Sequence, residues 1–497
     1  MSLTMRSLFH NPFAWVVFIA LIIRVTTLGQ YPLADLTEAR YSEMARIMVE
    51  TGNWLTPQFD YNVPFWGKPP LSVWATAMSF KVFGVNEFAA RFPSILIALG
   101  TLFFAFVLAR QQLGARAAWL AAAFLATDML FFLLSGAVLM DPMMTLGITL
   151  SMVAFWLAMK QRERYWGYLF FVGLSIGLMS KGPVAVVLTG VPIVFWLLLS
   201  GQWRFVWQRV PVISGTLLML ALSLPWYFMA ENATPGFFEY FIIGEHWKRF
   251  TEPGWSGDLY GTAHTSQVGA IWLNWLAVAF PMSLILIATL VVTIWREKIA
   301  AISVLREDWT LYLILWAMTP MLFFTFSGNI LATYVLPSMP AAALLVAVIW
   351  LKLTESALPS NKRSKKIISA TAIGGLLLPL IYLYLVYVVV PQISDEHSEK
   401  LLVEKYHQVS VVSPGGARLV YLNKRPFSAR FYSNGKAELV KSEKKMQEIL
   451  NETSFVFFAI PVKQEGKLTE TFKSCLGTVQ RYKKFILFQA DEKNCKR

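Results

Sequence analysis

Charge is what this sequence has least of. Only 15% of its 497 residues are Asp, Glu, Lys or Arg, where a soluble chain carries about a quarter. That shortage excludes an ordinary soluble enzyme. Cysteine is almost absent, and the two present, Cys475 and Cys495, both lie near the C-terminus. A signal-peptide cleavage site is missing too. Arg6 precedes an apolar run from Phe13 to Ile23, but no A-x-A pattern follows. The run therefore reads as an uncleaved first membrane helix with a cytoplasmic N-terminus. There is no pair of similar halves with helices broken in matching places, a frequent sign of transporters. The net charge of +14 is scattered over short loops rather than gathered on one face, which argues against nucleic-acid binding.

Long apolar runs are what is there. They fall at about 12–29, 92–109, 117–134, 142–159, 166–180, 183–200, 210–229, 270–294, 309–326, 334–351 and 367–390. The fold class is mainly α, a polytopic helical membrane domain of about eleven crossings, because helices satisfy their own backbone groups in lipid. With Arg6 inside, the inside connections are 110–116, 160–165, 201–209, 295–308 and 352–366, and all five carry Lys or Arg. This satisfies the positive-inside rule. Outside lie 30–91, 230–269 and everything after Pro391. Residues 1–391 form the membrane domain. Residues 392–497 are polar with apolar bursts at Ala417–Leu422, Ser454–Ile460 and Phe485–Gln489, and read as a small outside α/β domain.

The first outside loop concentrates the missing charge. Leu33 to Pro70 holds Asp35, Glu38, Glu43, Glu50 and Asp60 beside Arg40, Arg46 and Lys68. Such a cluster belongs at a water interface or in a polar cavity. Tyr41, Met44, Ala45 and Met48 fall at helical spacing, predicting an amphipathic helix from Glu38 to Met48 lying on the membrane. Leu71 to Phe83 reads as a second interfacial helix.

Several residues carry candidate chemistry. The D-L-T-E spacing lets Asp35 cap the helix while Glu38 reaches back to it, a structural alternative to catalysis. Lys68 precedes Pro69 and Pro70 and sits between Trp66 and Trp74, which places a fixed cation at headgroup level, suited to a lipid phosphate. Asp141 and Lys181 fall on the same outside face; Asp141, ahead of Pro142, is equally suited to capping a helix. Arg24, near the outer end of the first helix, has Asp35 as its expected partner. In the second loop His246, Arg249 and His264 could bind phosphate or a metal.

TEARY–SEMAR, GNWLTP, KPPL–W–A, GVNEFAARFPS, SKGP, H–RF and TYVLP follow one another over about the first 350 residues. As a series they resemble the membrane glycosyltransferases that include protein O-mannosyltransferases and the lipid A aminoarabinose transferase. The resemblance implies the GT-C fold in a bacterial inner membrane, with the C-terminal domain periplasmic. It also implies transfer of a sugar from a polyprenyl-phosphate carrier to a lipid A-like or other envelope acceptor on the periplasmic face. By this likeness Glu38 matches the catalytic carboxylate, with Asp35 nearby and Asp141 a second acidic site residue. Lys68 matches the lysine that holds the carrier phosphate. Arg249 and Tyr334 look like further phosphate contacts, and Arg40, Tyr41, Lys181 and His246 complete the expected substrate site.

The aminoarabinose transferases usually have Glu before the K-P-P lysine, where this chain has Gly67. No cofactor is therefore expected, and a divalent metal is expected to be dispensable. Eleven crossings also fall short of the thirteen that this likeness suggests. The alternatives are a protein hydroxyl as acceptor, a transporter or flippase of lipid-linked sugars, or a scaffold whose tail binds a partner. A polyprenyl phosphate leaves as a stabilised anion, so cations at the phosphate matter more than a general acid. One carboxylate could deprotonate an acceptor hydroxyl or orient an acceptor that is already anionic. Cys475 and Cys495 are expected to form a disulfide if the tail faces an oxidising compartment. Closing a loop of about twenty residues would stabilise the tail by roughly 3 kcal/mol in the chain-entropy model.

Overall fold

The computed structural model describes residues 11–35, 37–161, 163–261, 266–296, 307–355, 362–410, 417–452 and 455–490. Every expected apolar span falls on a helix. Asn11 accepts a hydrogen bond from the Phe13 amide (3.0 Å) and starts the first, Pro12–Thr27. The span at 92–109 and most of that at 117–134 lie on one long helix, Glu87–Thr127, broken at Gly114, whose φ of 84° leaves the helical region; the end of the second span is a short helix, Met129–Leu134. Only a residue without a Cβ takes that conformation at little cost. The helices Asp141–Gln161, Arg164–Lys181, Val184–Ser200, Val212–Ala233 and Asp308–Phe324 follow. The span at 270–294 is two helices, Ala270–Val278 and Met282–Arg296, bent by 104° at their junction. Five of the described helices are long and apolar enough to cross a membrane, or seven if each bent pair counts as one span. The helical path also continues through Pro391 to Glu396, past the expected end of the membrane part. Proline is tolerated there because it sits in the first turn of its helical segment, where its missing N–H costs little.

The polar tail folds around a five-stranded sheet. Its order is Glu438–Val440, Arg418–Leu422, Val456–Pro461, Phe485–Ala490 and Leu476–Arg481, with the first three parallel and the last two joining antiparallel. The alternation of the central strands buries both faces. Val420, Leu422, Phe458 and Ile486 pack with Met446 and Ile449 of the helix Glu443–Glu452. Leu419, Tyr421, Phe457 and Leu487 pack with Leu402, Val403 and Tyr406 of the helix Lys400–Ser410. Cys475 is disulfide-bonded; its expected partner Cys495 lies outside the described residues.

The tail corrects the picture of the first loop. The helix Glu38–Thr51 does form, but it is buried on nearly every side from Ala39 to Met48, rather than lying on a membrane with its polar face in water. The reason is electrostatic. Glu43 and Arg46 form a two-pronged ion pair (2.7 and 2.9 Å). Arg430 of the tail helix Phe427–Tyr432 covers that pair, with its guanidinium 3.7 Å from Glu43 and 3.0 Å from Asp60. Arg425 also bonds Asp60. Phe431 packs on Phe80 of the helix Leu71–Phe83. Asp35, expected near the chemistry, is taken up by the tail instead: its carboxylate accepts from the Ser428 amide (2.8 Å) and hydroxyl (2.5 Å). The capping box therefore does not form, and Thr37 stands at the cap without a side-chain bond.

Removing Arg430 strips a buried cation from between two carboxylates. Arg430→Ala is expected to weaken tail docking by on the order of 3 kcal/mol. Trypsin should then release the tail at lower temperature than in the wild type, and an unchanged cleavage profile would refute the docking role.

Candidate active site

Three groups of buried ion pairs sit at helix ends and in the loops that join them. In the first, Glu38 meets Arg91 of the helix Glu87–Thr127. Arg91 donates from Nε (3.1 Å) and Nη2 (2.9 Å) to the two carboxylate oxygens. Its other donors go to the carbonyls of Leu28, Tyr31 and Pro32, and its guanidinium lies 3.8 Å over the Tyr31 ring. All five donors are thus used, a planar geometry that lysine cannot copy. Burial opposes the charge of Glu38, but Arg91 outweighs it and holds the carboxyl below its ordinary range. The Val138 amide also donates to Glu38 (3.2 Å), three residues before Asp141.

The second pair is Asp141 with Lys181, 2.6 Å apart and both buried. Lys181 lies 4.1 Å over the ring of Tyr334. His246 joins this pair to the second loop. Its Nδ1 faces the Phe241 carbonyl (2.7 Å) and its Nε2 faces the Lys181 carbonyl (3.1 Å). That approach needs Gly182, whose φ is 86° and where a Cβ would meet Nε2 at 2.9 Å.

The third is a triad. Lys68 (2.6 Å) and Arg249 (2.7 Å) converge on the two oxygens of Glu245, which is buried. Asp258 lies 3.4 Å from Arg249. Burial disfavours the Glu245 charge, yet the two cations bring its pKa down to about 2. Tyr260 sets the approach to Lys68: its hydroxyl donates to the Pro64 carbonyl (2.8 Å) and accepts from the Trp66 amide (3.1 Å). Its ring packs on Phe59, Phe65 and Tyr240.

The structure therefore brings together Lys68, Arg249, His246, Lys181, Asp141 and Tyr334, with Glu38 adjoining through Val138. It corrects one expected pairing and shows what three further candidates contact. Arg24 does not pair with Asp35; it donates to Thr27 (3.3 Å), Tyr31 (3.1 Å) and the Leu133 carbonyl (2.8 Å). Arg40 is spent on the Tyr260 carbonyl (2.9 Å) and lies over the Tyr41 ring, so it ties the two loops together. Tyr41 is buried against Phe65 and lines a small cavity with Ser72, Ser94 and Met140. His246 has both ring nitrogens against carbonyl oxygens, which leaves it to position the loop. His264 lies outside the described residues. Among the described residues no group of three or more metal-ligating side chains is gathered, and at Gly67 a Cβ would meet the Phe65 ring at 2.8 Å.

Two members were missed from sequence. Arg91 stands inside a motif, GVNEFAARFPS, but nothing local marks it as the partner of a residue 53 positions away. Glu245, directly before His246, reads as one acid among many until Lys68 is folded onto it.

Residues 12–241 match the family model described as dolichyl-phosphate-mannose-protein mannosyltransferase. The undecaprenyl phosphate-alpha-4-amino-4-deoxy-L-arabinose arabinosyl transferase of Enterobacter sp. (strain 638) is 30% identical over 320 residues, 62% of this chain and 54% of that protein. The corresponding transferase 1 of Pseudomonas fluorescens (strain Pf0-1) is 32% identical over 323 residues, 62% of this chain and 52% of that protein. The chain thus spans about half the length of the curated relatives it matches. The solved structure of ArnT from Cupriavidus metallidurans bound to undecaprenyl phosphate superimposes with a TM-score of 0.75 at 16% identity, over 97% of this chain and 98% of that one. The chain has that GT-C fold, and the resemblance read from its motifs holds.

Burial pushes the pKa of His246 below 6.5, and the nearby Lys68 charge adds to this. A depressed histidine contributes stability that is present above the unfolded pKa and lost as pH falls through the folded one. The thermal midpoint is therefore expected to drop between about pH 7 and about pH 5, and less steeply in His246→Gln. Equal slopes would refute the assignment.

Proposed function

We propose that this multi-pass membrane protein transfers a sugar from a polyprenyl-phosphate carrier to an envelope acceptor on the periplasmic face. The observation that carries this reading is the convergence of Lys68 and Arg249 on Glu245. In a phosphate-linked sugar the bond from C1 to the phosphate oxygen breaks, and the leaving phosphate gains negative charge. Two fixed cations in a water-poor site stabilise that charge most where it develops. Lys68 and Arg249 face two carboxylates, Glu245 and Asp258, so the carrier phosphodiester competes with these for the two cations. The carrier phosphate enters by taking over contacts that Glu245 makes in the empty site.

The acceptor follows from the carboxylates. Glu38 is held ionised by Arg91 rather than tuned toward neutrality as an efficient general base would be, and Asp141 is bonded to Lys181. They suit an acceptor oxygen that is already ionised, such as the phosphate of a lipid A-like glycolipid, better than a protein hydroxyl. That oxygen attacks C1 as the carrier phosphate departs, and no proton has to move. Glu38 and Asp141 then orient the sugar and keep the cations in place. The matched relatives are named for an aminoarabinose donor, and an amino sugar is the donor class we favour. The disulfide at Cys475 suits an oxidising compartment, which supports a periplasmic tail.

Transfer from a labelled polyprenyl-phosphate sugar tests the roles. Lys68→Ala is expected to weaken donor binding, raising KM about tenfold or more, whereas Glu38→Gln is expected mainly to lower kcat. Near-normal turnover in folded protein for both would reject the site. A reporter fused after Arg497 is expected to be active only when periplasmic; activity confined to the cytoplasm would overturn the topology.

A further inference from the structure

The ion pairs leave one polar side chain beside the site with nothing to bind. Asn329 is only 4% exposed, yet neither its amide nitrogen nor its carbonyl oxygen has a hydrogen-bond partner among the described residues. Its own backbone is satisfied: its amide and carbonyl both bond the Ser327 hydroxyl (3.3 and 3.2 Å). The turn that carries it is fixed on both sides. Gly328 packs so closely on Pro253 that a Cβ there would meet it at 2.6 Å, and the Gly328 carbonyl accepts from the Ser266 amide (3.0 Å). Five residues after Asn329 comes Tyr334, over Lys181. Three further buried atoms in these segments lack hydrogen-bond partners among the described residues, Thr333 Oγ1, Arg249 Nε and Asp258 Oδ2.

A buried amide with both ends unpaired is costly, and proteins rarely keep one without a use. The unspent groups define the chemistry of what would satisfy them. A phosphate offers acceptors only, so it would serve Arg249 Nε and the Asn329 nitrogen and leave the Asn329 oxygen unpaired. A sugar hydroxyl both donates and accepts, and serves the whole set.

We infer that Asn329, with Thr333 beside it, is the contact that recognises the sugar of the donor, while Lys68 and Arg249 hold the phosphate. This rests on the proposed function and assigns separate residues to the two halves of the donor. The sugar is then placed between the 325–334 turn and the second outside loop, with its phosphate toward Lys68.

Two probes separate the halves: undecaprenyl phosphate, and the same carrier bearing 4-amino-4-deoxy-L-arabinose. Asn329→Ala is expected to weaken binding of the sugar-bearing carrier about ten- to hundredfold and to leave undecaprenyl phosphate within about twofold. Lys68→Ala should weaken both. Asn329→Leu, an apolar side chain of similar size, should also lose the sugar-bearing carrier while raising the thermal midpoint of the empty protein, because it removes the unpaired amide. Equal effects of Asn329→Ala on the two probes, no effect on either, or a lower midpoint in Asn329→Leu would overturn the assignment. So would wild-type protein that binds undecaprenyl phosphate but not the sugar-bearing carrier. Wild-type protein that binds neither probe would instead bring down the function itself, and this assignment with it.

Discussion

A charge withdrawn from water must find its opposite, and the face of this protein that carries the tail and the two long loops is arranged around that requirement. Glu38 has Arg91, Asp141 has Lys181, and Glu245 has both Lys68 and Arg249. Apart from Glu245–Arg249, four residues apart, each pair joins segments far apart in sequence, so charge pairing also decides which helix ends and loops meet. Removing one partner from such a pair leaves an uncompensated buried charge, which is why these positions bear on folding as well as on chemistry. The triad differs from the two simple pairs. Two cations converge there on one carboxylate, with Asp258 beside Arg249, so an incoming anion can compete for both cations at one point.

Much of this was legible in the sequence because the membrane enforces long apolar runs and places Lys and Arg inside. The spans, the two outside loops and the tail strands at Arg418–Leu422, Val456–Pro461 and Phe485–Ala490 all came from patterns that work over short windows. Lys68, Asp141, Lys181 and Tyr334 were singled out by motif and by their shared face. What escaped was everything set by distant pairing. Glu245 and Arg91 carry no local signature, and Asp35 sits in a convincing capping box that the tail pre-empts. The helix Glu38–Thr51 has the amphipathic pattern of a surface helix, yet its polar face is covered by an arginine nearly four hundred residues further on. The short strand Glu438–Val440 and the strand Leu476–Arg481 lack apolar runs because they lie at the two edges of the sheet, where less surface is buried.

The two outside loops form one unit through aromatic packing as much as through charge. Tyr260 holds the segment before Lys68 with two hydrogen bonds and ring contacts to Phe59 and Phe65, and Arg40 holds Tyr260 in turn. The lysine is thereby placed by a rigid surround rather than by its own flexible stem. That preorganisation suits a group whose task is to meet a developing charge, since little has to move when the charge appears.

The tail's grip on the first loop constrains how this architecture can be recombined. The Leu33 amide donates to Tyr432, whose hydroxyl donates to Glu87, and Glu87 also binds Lys400. Together with Ser428 on Asp35 and Arg430 over Glu43, these contacts reach within about one helical turn of Arg91. A chimera carrying another protein's tail on this membrane part would therefore have to bring partners for Asp35, Glu43, Asp60 and Glu87, as Ser428, Arg430, Arg425, Lys400 and Tyr432 are here. The loop and the tail form a lock and its key cut from one blank, and exchange of one without the other would expose acidic groups at the threshold of the site.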